Sequence, residues 1–308
     1  MRMVLATDPD PAVTRAPTIT GMSSALPEII AVPGSCQIQR GEIVTARLSE
    51  IKTLARQPLS AEWPRLPPRF LRHADEQTVV AMAAVLRTLA RQGETTGGVT
   101  GDAVIAASCR AGQPTAARTM TALKRQGPVG VTPHVVPQCS LHSPASAVSV
   151  GLGMHGPTIG VGGGPAAIAE GLLAAATLAM SPGQSPAAIW LLLTGWDDQP
   201  GLDAETVPTT DPVCRGLCLR LRPIAAGTPI PAAAASLLPA AVTAVPPAES
   251  STQPSRPAGQ PLPLREFSNR LQQGCPTAVA CGPGLTMKLQ PGAAGFGIGS
   301  PTTAREAA

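Results

Sequence analysis

The segment with the most chemical potential is 156–175, GPTIGVGGGPAAIAEGLLAA. A short apolar strand runs into a glycine-rich turn and then into a helix of small residues. Such a turn sets one side chain, or a row of backbone N–H groups, at a helix N-terminus. A nucleophile placed there is activated by the helix dipole and lies beside N–H groups that stabilise an oxyanion. Bare N–H groups at the same place suit a phosphate instead. Every residue from 160 to 167 is Gly, Val, Pro or Ala, so the turn offers no nucleophile. The glycines 160–164 do not complete a G-x-G-x-x-G fingerprint, because position 165 is Pro, and no acidic residue closes a strand about 20 residues on. Tight packing of helix on strand is the plainer reason for the small residues, and no cofactor is expected.

The remaining reactive side chains are scattered. Cysteine occurs seven times, at Cys36, Cys109, Cys139, Cys214, Cys218, Cys275 and Cys281. Cys214 and Cys218 share a strand face, and Cys275 and Cys281 fall in a loop. Neither pair has a second pair or a histidine at zinc-ligand spacing, so no metal site is expected. Cys139 and His142 are three residues apart, and on extended chain they point to opposite faces. His134 and His142 read as hydrogen-bonded structural residues, and Asp197-Asp198 as solvated loop acids. The four histidines, His73, His134, His142 and His155, all precede position 165.

The elements around the turn follow from periodicity. Val79, Met82, Leu86 and Leu89 share a helix face that ends at Gly93. Ala103–Ala107 is an apolar run suited to a strand buried on both faces. Pro114 opens a helix that Gly127 closes after Lys124-Arg125. Ala145–Leu152 is a further apolar segment, and Thr158–Val161 a short strand. A helix follows on 166–180, carrying Ile168, Leu172, Ala175 and Leu178. Ile189–Thr194 is the clearest buried strand. Cys214–Arg222 alternates apolar and polar and predicts a half-exposed strand. Strands separated by helices imply βαβ units and a layered α/β domain with a largely parallel sheet.

Composition bounds the rest. The chain has 308 residues, 44% hydrophobic but only 2% aromatic, so its core is built from Ala, Val, Leu and Ile. A net charge of +4 without a basic block, and few aromatics for base stacking, speak against nucleic acid. The longest apolar stretches, 166–180 and 186–196, are too short to span a bilayer. No secretory signal is recognisable at the start, so a cytoplasmic setting with free thiols is expected. Residues 1–17 read as a disordered N-terminus and 18–223 as the globular domain. Proline recurs too often in 224–262 for a helix or central strand, which predicts a Pro/Ala-rich linker. The tail 263–308 predicts one short helix, 264–273, in otherwise poorly ordered chain.

In order and spacing, several of these segments resemble β-ketoacyl synthases of the thiolase-like superfamily. The stretch 64–93 (PRLPPRFLRHADEQTVVAMAAVLRTLARQG) is similar to the family's first helical region. GDAVIAASCRAG (101–112) is similar to its strand and small-residue loop, and VTPHVVPQCSLHSPASAVSVGLGMHGP (131–157) to the stretch before the nucleophile. CRGLCLRLRP (214–223) resembles the strand that ends the N-terminal half. The resemblance spans about 18–223 and implies a layered thiolase-like half-fold, with a mixed, largely parallel sheet flanked by helices.

Two departures shape what the resemblance implies. The family's cysteine position falls on Pro165, and the elbow around it is Gly162, Gly163 and Gly164. The family's downstream catalytic histidines, or His and Asn, have no counterpart, and the C-terminal half that carries them is replaced by the linker. A Claisen condensation needs a thiolate for the acyl chain and a polarised site for the malonyl carboxylate; neither is available.

Proline suits a helix first turn, so the change keeps the fold and removes the chemistry. Relatives of this kind, the chain-length factors, pair with an active ketosynthase. The expectation is therefore a non-catalytic subunit of a heterodimer in fatty-acid, polyene or polyketide biosynthesis. Its contact with acyl-carrier protein is indirect, and it has no membrane or nucleic-acid partner. Gln138, Ser140, His142, Ser146 and Ser149 are the candidate partner-facing residues. The alternatives are a condensing enzyme or acyltransferase with a relocated nucleophile, Cys139 or Cys109, and a degenerate scaffolding remnant.

Overall fold

A computed structural model describes residues 29–56, 66–67, 69–92, 96–181, 186–203, 208–241, 260–299 and 302–303. The expected N-terminal segment 1–17 lies outside them. In chain order the elements are β1 (Ile29–Ile30), β2 (Cys36–Arg47), α1 (Ile51–Leu54), α2 (Glu76–Gln92), β3 (Ala103–Cys109), α3 (Gln113–Gln126), α4 (Val135–Cys139), α5 (Ser143–Leu152), β4 (Thr158–Gly163) and α6 (Ala167–Ala179). They continue with β5 (Ile189–Trp196), β6 (Val213–Pro223), β7 (Pro229–Ile230), β8 (Ser236–Ala241), α7 (Leu264–Gln272), β9 (Thr277–Gly282), β10 (Leu285–Gln290) and β11 (Thr302–Thr303).

The main sheet runs β4-β3-β5-β6-β2-β8-β10-β9, with β11 added in parallel to β2. The first five strands of that row, β4 to β2, make the expected layered α/β part. Its βαβ part is parallel, because α3 to α5 carry the chain from β3 to β4, and β4 and β5 both pair in parallel with β3. Parallel pairing of the long strands is confined to that trio. β5–β6, β6–β2, β2–β8, β8–β10 and β10–β9 are antiparallel; of these only β9 and β10 are joined by a tight turn, while β2 pairs with strands far along the chain.

Side-chain alternation divides the core between the two faces of this sheet. Val104, Ala106, Trp190, Leu192, Cys214 and Cys218 point to one side, under α1, α2 and α5. Ile105, Ala107, Leu191, Leu193, Leu217 and Leu219 point to the other, under α6, α7 and the β9–β10 hairpin. Helix α2 is buried from Val79 to Leu86 with almost no exposed surface, then again at Leu89. Each such Val or Leu contributes about 1.5–3 kcal/mol relative to exposure, so α2 is a principal anchor of its layer.

Strand β6 departs from the half-exposed strand that its alternation predicts: it is buried on both faces. Its two buried arginines, Arg215 and Arg220, face carboxylates inside the protein. Arg220 lies over the Trp190 ring, 5.1 Å from its centre, and 3.4 Å from Asp102 Oδ2. Trp190 Nε1 donates to the same Asp102 oxygen at 2.9 Å. Arg215 donates to both oxygens of Asp197, at 2.8 and 2.7 Å. Arg215 and Arg220 therefore mark buried ion pairs, while Arg222 at the strand's end is exposed, as the alternation predicts.

The region read as linker and tail differs most. Within 224–262, β7 pairs with β1 and β8 pairs with β2 and β10. Residues 242–259 lie outside the described residues. Pro239 is tolerated in β8 because that strand pairs β2 only at Ser236 and Leu237. Beyond Leu237 one edge carries no partner strand among the described residues, so the missing N–H costs no ladder bond. In the tail, α7 matches the expected short helix within a residue, and β9 and β10 form a hairpin on β8. Phe267, Leu271, Met287 and Leu289 bury into the second core layer.

Candidate functional site

The turn between β4 and α6 has the expected strand–turn–helix geometry. Gly162 and Gly163 hold φ of 94° and 101°, a region that residues with a Cβ rarely adopt. A Cβ on Gly162 would also sit 2.9 Å from Ala167 Cβ. Gly164, Pro165 and Ala166 complete the turn, and Ala166 caps α6 without a side-chain hydrogen bond. A Cβ at Gly164 would meet nothing within 4 Å. The turn thus has room for a side chain and carries none.

Below it the helix is pressed onto the sheet. A Cβ on Gly171 would approach Ala107 Cβ at 2.6 Å, so the small residues of α6 set how closely it packs on β3. That is the plain reading of the glycine cluster, and it accounts for the composition of the segment.

Beside the turn is a cavity of about 280 Å³, walled by Ala107, Cys109, Pro165, Leu193, Trp196 and Leu262 among others. It lies at the C-terminal ends of β3 and β5 and the N-terminus of α6. Residues 261–264 close one side, a contribution from the tail that sequence reasoning missed. The only signal for it is the Pro-Leu-Pro-Leu run leading into α7. No histidine lines this cavity.

The floor of the cavity is fixed by a buried polar chain that the sequence did not single out. Gln77 on α2 donates from Nε2 to the Cys109 carbonyl at 2.9 Å and to the Arg110 carbonyl at 3.3 Å. Thr194 on β5 donates to Gln77 Oε1 at 2.8 Å, and Ser108 lies 2.7 Å from the Thr194 hydroxyl. Since the Thr194 proton is committed to Gln77, Ser108 is the donor. The chain ties the ends of β3 and β5 to α2. Arg110, which follows, holds φ of 58°. This left-handed conformation is costly for a residue with a side chain and persists only where surroundings enforce it. Gln77 provides that enforcement, together with the Arg110 N–H bond to the Gly163 carbonyl at 3.2 Å.

Of the two thiols considered as relocated nucleophiles, Cys109 reaches the cavity and Cys139 does not. Burial pushes the Cys109 thiol above its ordinary value, with Arg110 opposing. Burial also raises Cys139, and the carboxylates of Asp75 and Glu76 add to it. Both environments disfavour the thiolate that would accept an acyl group. Cys139 ends helix α4, where Sγ faces the Gly112 carbonyl at 3.7 Å. It does not lie on extended chain. His142 starts α5 with its ring exposed.

The candidate partner-facing residues lie together on α4, α5 and their connection. Gln138 donates to the His73 carbonyl at 2.5 Å, and the His73 and His134 rings stack 4.6 Å apart. The Ser140 hydroxyl accepts from the His142 N–H at 3.2 Å, and Ser149 donates to the Met154 carbonyl at 2.9 Å. Ser146 is half-buried on α5. The connection passes over β4, since a Cβ on Gly160 would meet the Leu141 carbonyl at 2.6 Å.

Cys281 lies in β9, not in the loop expected for it, and Asp198 is exposed, as expected of a solvated loop acid. Asp197 is held by Arg215, and Cys214 and Cys218 are buried. Among the described residues no group of three or more His, Cys, Asp or Glu is placed to hold a metal, and no helix is long and apolar enough to cross a membrane.

Fold and turn together define a layered α/β fold with a mixed sheet, whose strand–turn–helix elbow carries no nucleophile. Comparison with solved structures finds likenesses at low sequence identity. The chain is similar to the complex of the ketosynthase ApeO with its chain length factor ApeC from Xenorhabdus doucetiae, at 16% identity and a TM-score of 0.49, over 83% of this chain and 99% of that one. It is similar to a type II polyketide ketosynthase in complex with its acyl-carrier protein, at 13% identity and a TM-score of 0.44, over 61% and 63%. It is also similar to the ishigamide ketosynthase/chain length factor, at 17% identity and a TM-score of 0.41, over 60% and 54%. No protein-family model and no curated protein matches the sequence.

Proposed function

We propose that this chain is a non-catalytic, chain-length-factor-type subunit that pairs with an active ketosynthase. The observation that carries this is the β4–α6 turn. It keeps the elbow geometry but offers only Pro165 and Ala167 to an apolar cavity that no imidazole lines. Condensation at that turn would lack both thiolate and base. A cavity without an elbow nucleophile or a base still has a shape, and shape is what a subunit that bounds a partner's acyl chain contributes.

Pairing is supported by the edge of the sheet. Among the described residues β4 pairs only with β3, and its outer edge is uncharged and half-buried along its whole length. Open edges of this kind are a hazard that proteins cover. Val129, Val136 and Val150, which are 96%, 74% and 72% exposed, lie on the 3-10 turn after α3 and on α4 and α5. Gln138, Ser140, His142, Ser146 and Ser149 stand among them as the polar part of the proposed interface.

Co-expression with a candidate ketosynthase tests the reading. The expected result is a stable one-to-one complex and a ketosynthase that condenses only within it. Val161→Lys in β4 should release the partner. A ketosynthase fully active alone, beside a monodisperse isolated chain, would overturn the proposal. A stable acyl adduct on Cys109 after incubation with an acyl thioester, read by mass spectrometry, would replace it with the relocated-nucleophile reading.

A further inference from the structure

The layer made by α3 and α4 is seated differently from α2. Helix α2 buries its apolar side chains almost completely, whereas Pro114 is the only residue of α3 that is buried. The described side chains of α4 are half-buried or exposed. With so little apolar area to hold it, the layer depends on polar ties to the first turn of α2 and the chain before it. Glu76 pairs with Arg118 at 3.2 Å. Gln77 reaches the Cys109 and Arg110 carbonyls, and Gln138 donates to the His73 carbonyl. Asp75 lies among these ties. It is 4% exposed, its Oδ1 accepts from the Thr78 N–H at 3.0 Å, and the Gly112 N–H at the start of α3 faces it. A Cβ on Gly112 would lie 2.6 Å from Cys139 Cα, so the same turn fixes α4 against α3.

The charges around Asp75 do not balance. Glu76, its neighbour on α2, has the same sign, and the cation for Glu76 is Arg118 from α3. On the β5 and β6 side, Arg215 gives both its donors to Asp197, at 2.8 and 2.7 Å. Cys139 of α4 and Cys214 of β6 complete the surroundings, and burial raises both thiols, so neither brings a charge. No Lys or Arg pairs with Asp75 among the described residues. A buried carboxyl beside another, with Arg118 and Arg215 committed elsewhere, favours its protonated form. In keeping with this, burial pushes the Asp75 carboxyl up to about 6 from 3.8, with Glu76 adding to it and the bonds from Thr78 and Gly112 opposing.

We propose that Asp75 is a proton-operated latch for the α3–α4 layer. Protonated, the carboxyl sits dry between the starts of α2 and α3, and the layer is closed. Ionised, it is drawn towards water, and the smallest movement that hydrates it lifts a layer with little apolar contact to lose. In the open layer the carboxyl returns to the ordinary value of about 3.9. Closure is therefore favoured in full below about pH 4, and that contribution is lost as pH rises through about 6. The latch belongs to the free chain and does not rest on pairing through β4.

The test is amide hydrogen exchange of the full chain, read by mass spectrometry and corrected for the intrinsic rate at each pH. Protection of the α3 and α4 amides should fall at least about tenfold between about pH 4.5 and about pH 6.5. The β9–β10 hairpin, at the far end of the sheet from β4, should keep its protection. Asp75→Asn should flatten the α3–α4 response. Glu76→Gln removes the like charge beside Asp75 and should move the response to lower pH. A folding defect in one variant, seen by circular dichroism, leaves the other decisive. Protection of α3 and α4 that does not change with pH, an unchanged response in either folded variant, or an equal fall in the hairpin would overturn the latch.

Discussion

The elbow and the α3–α4 layer are held in place by opposite means. The cavity at the elbow is small, apolar and walled by the ends of strands, and its position is enforced by buried hydrogen bonds and a left-handed residue. The α3–α4 layer has Pro114 as the one buried residue of α3, and its ties to α2 are polar groups about Asp75 and Glu76. The first is a place of chemical opportunity with its reactive group removed. The second has titratable groups and little apolar contact beneath it. Rigid scaffolding and functional side chains are thus separable properties. The elbow keeps the scaffolding, and the layer keeps the side chains.

The sharpest way to break this contrast is through the buried support of the sheet that carries the elbow. Removing Asp102 leaves Arg220 buried against Trp190 without its carboxylate. Asp102→Ala should therefore cost about 3–5 kcal/mol, read as a lowered denaturant midpoint. Matching losses are expected for the elbow and the rest of the sheet, since β3, β5 and β6 share that ion pair.

Next in size is the contact between α6 and β3. Gly171→Leu forces a side chain into the space of Ala107 and should cost about 2–3 kcal/mol by overpacking, measured by thermal unfolding. Wild-type-like stability would show that α6 is not seated on the sheet as described.

A third effect of similar size depends on pH. Burial pushes the Asp75 carboxyl up to about 6 from 3.8, against the hydrogen bonds from Thr78 that favour its charge. The folded protein therefore holds a proton that the unfolded chain has already released between about pH 4 and 6. Asp75 contributes stability below that window and loses it as pH rises through it, a slope of the order of 2–3 kcal/mol in total. Asp75→Asn keeps a cap for the α2 N-terminus and removes the titration. The difference in unfolding free energy between the two proteins should grow across this window and level off above it. A constant difference would show that Asp75 titrates normally.

The smallest effect tests the elbow itself. Gly164→Cys adds a side chain where a Cβ meets nothing within 4 Å, so stability should change by less than about 0.5 kcal/mol. The new thiol should take up iodoacetamide faster than Cys109, whose thiol is raised by burial. No condensing activity should accompany it, because no imidazole stands at the cavity. Slower alkylation of the new thiol than of Cys109 would show that the turn is covered.

Which parts of this were legible beforehand follows from what local patterns report. The helix ending near Gly93, the Pro114–Gly127 helix, the strand at 189–194 and the elbow itself each carry their signal within about 15 residues, as period, cap or glycine. The 12-residue strand β2 went unread because its twelve residues, CQIQRGEIVTAR, mix buried and exposed positions without clean alternation. Strand β6 was read as half-exposed because alternation cannot distinguish water from a buried partner such as Asp102. The region 224–241 was read as linker because proline counts against a strand, whereas β8 places Pro239 where one edge has no partner strand. At the candidate site, the absence of a nucleophile from 160–167 was legible. The Gln77–Thr194–Ser108 chain was not, since its members lie up to 117 residues apart.

By itself the sequence determined the order of strand, turn and helix, the small residues that let α6 sit close, and the lack of a sulfur or imidazole at the elbow. All of these are properties of neighbouring residues. Tertiary structure alone decided which thiol reaches the cavity, which charges are buried in pairs and which carboxyl is buried without a cation. Those depend on segments far apart in the chain, and only the packing of one layer on another brings them within a few ångströms.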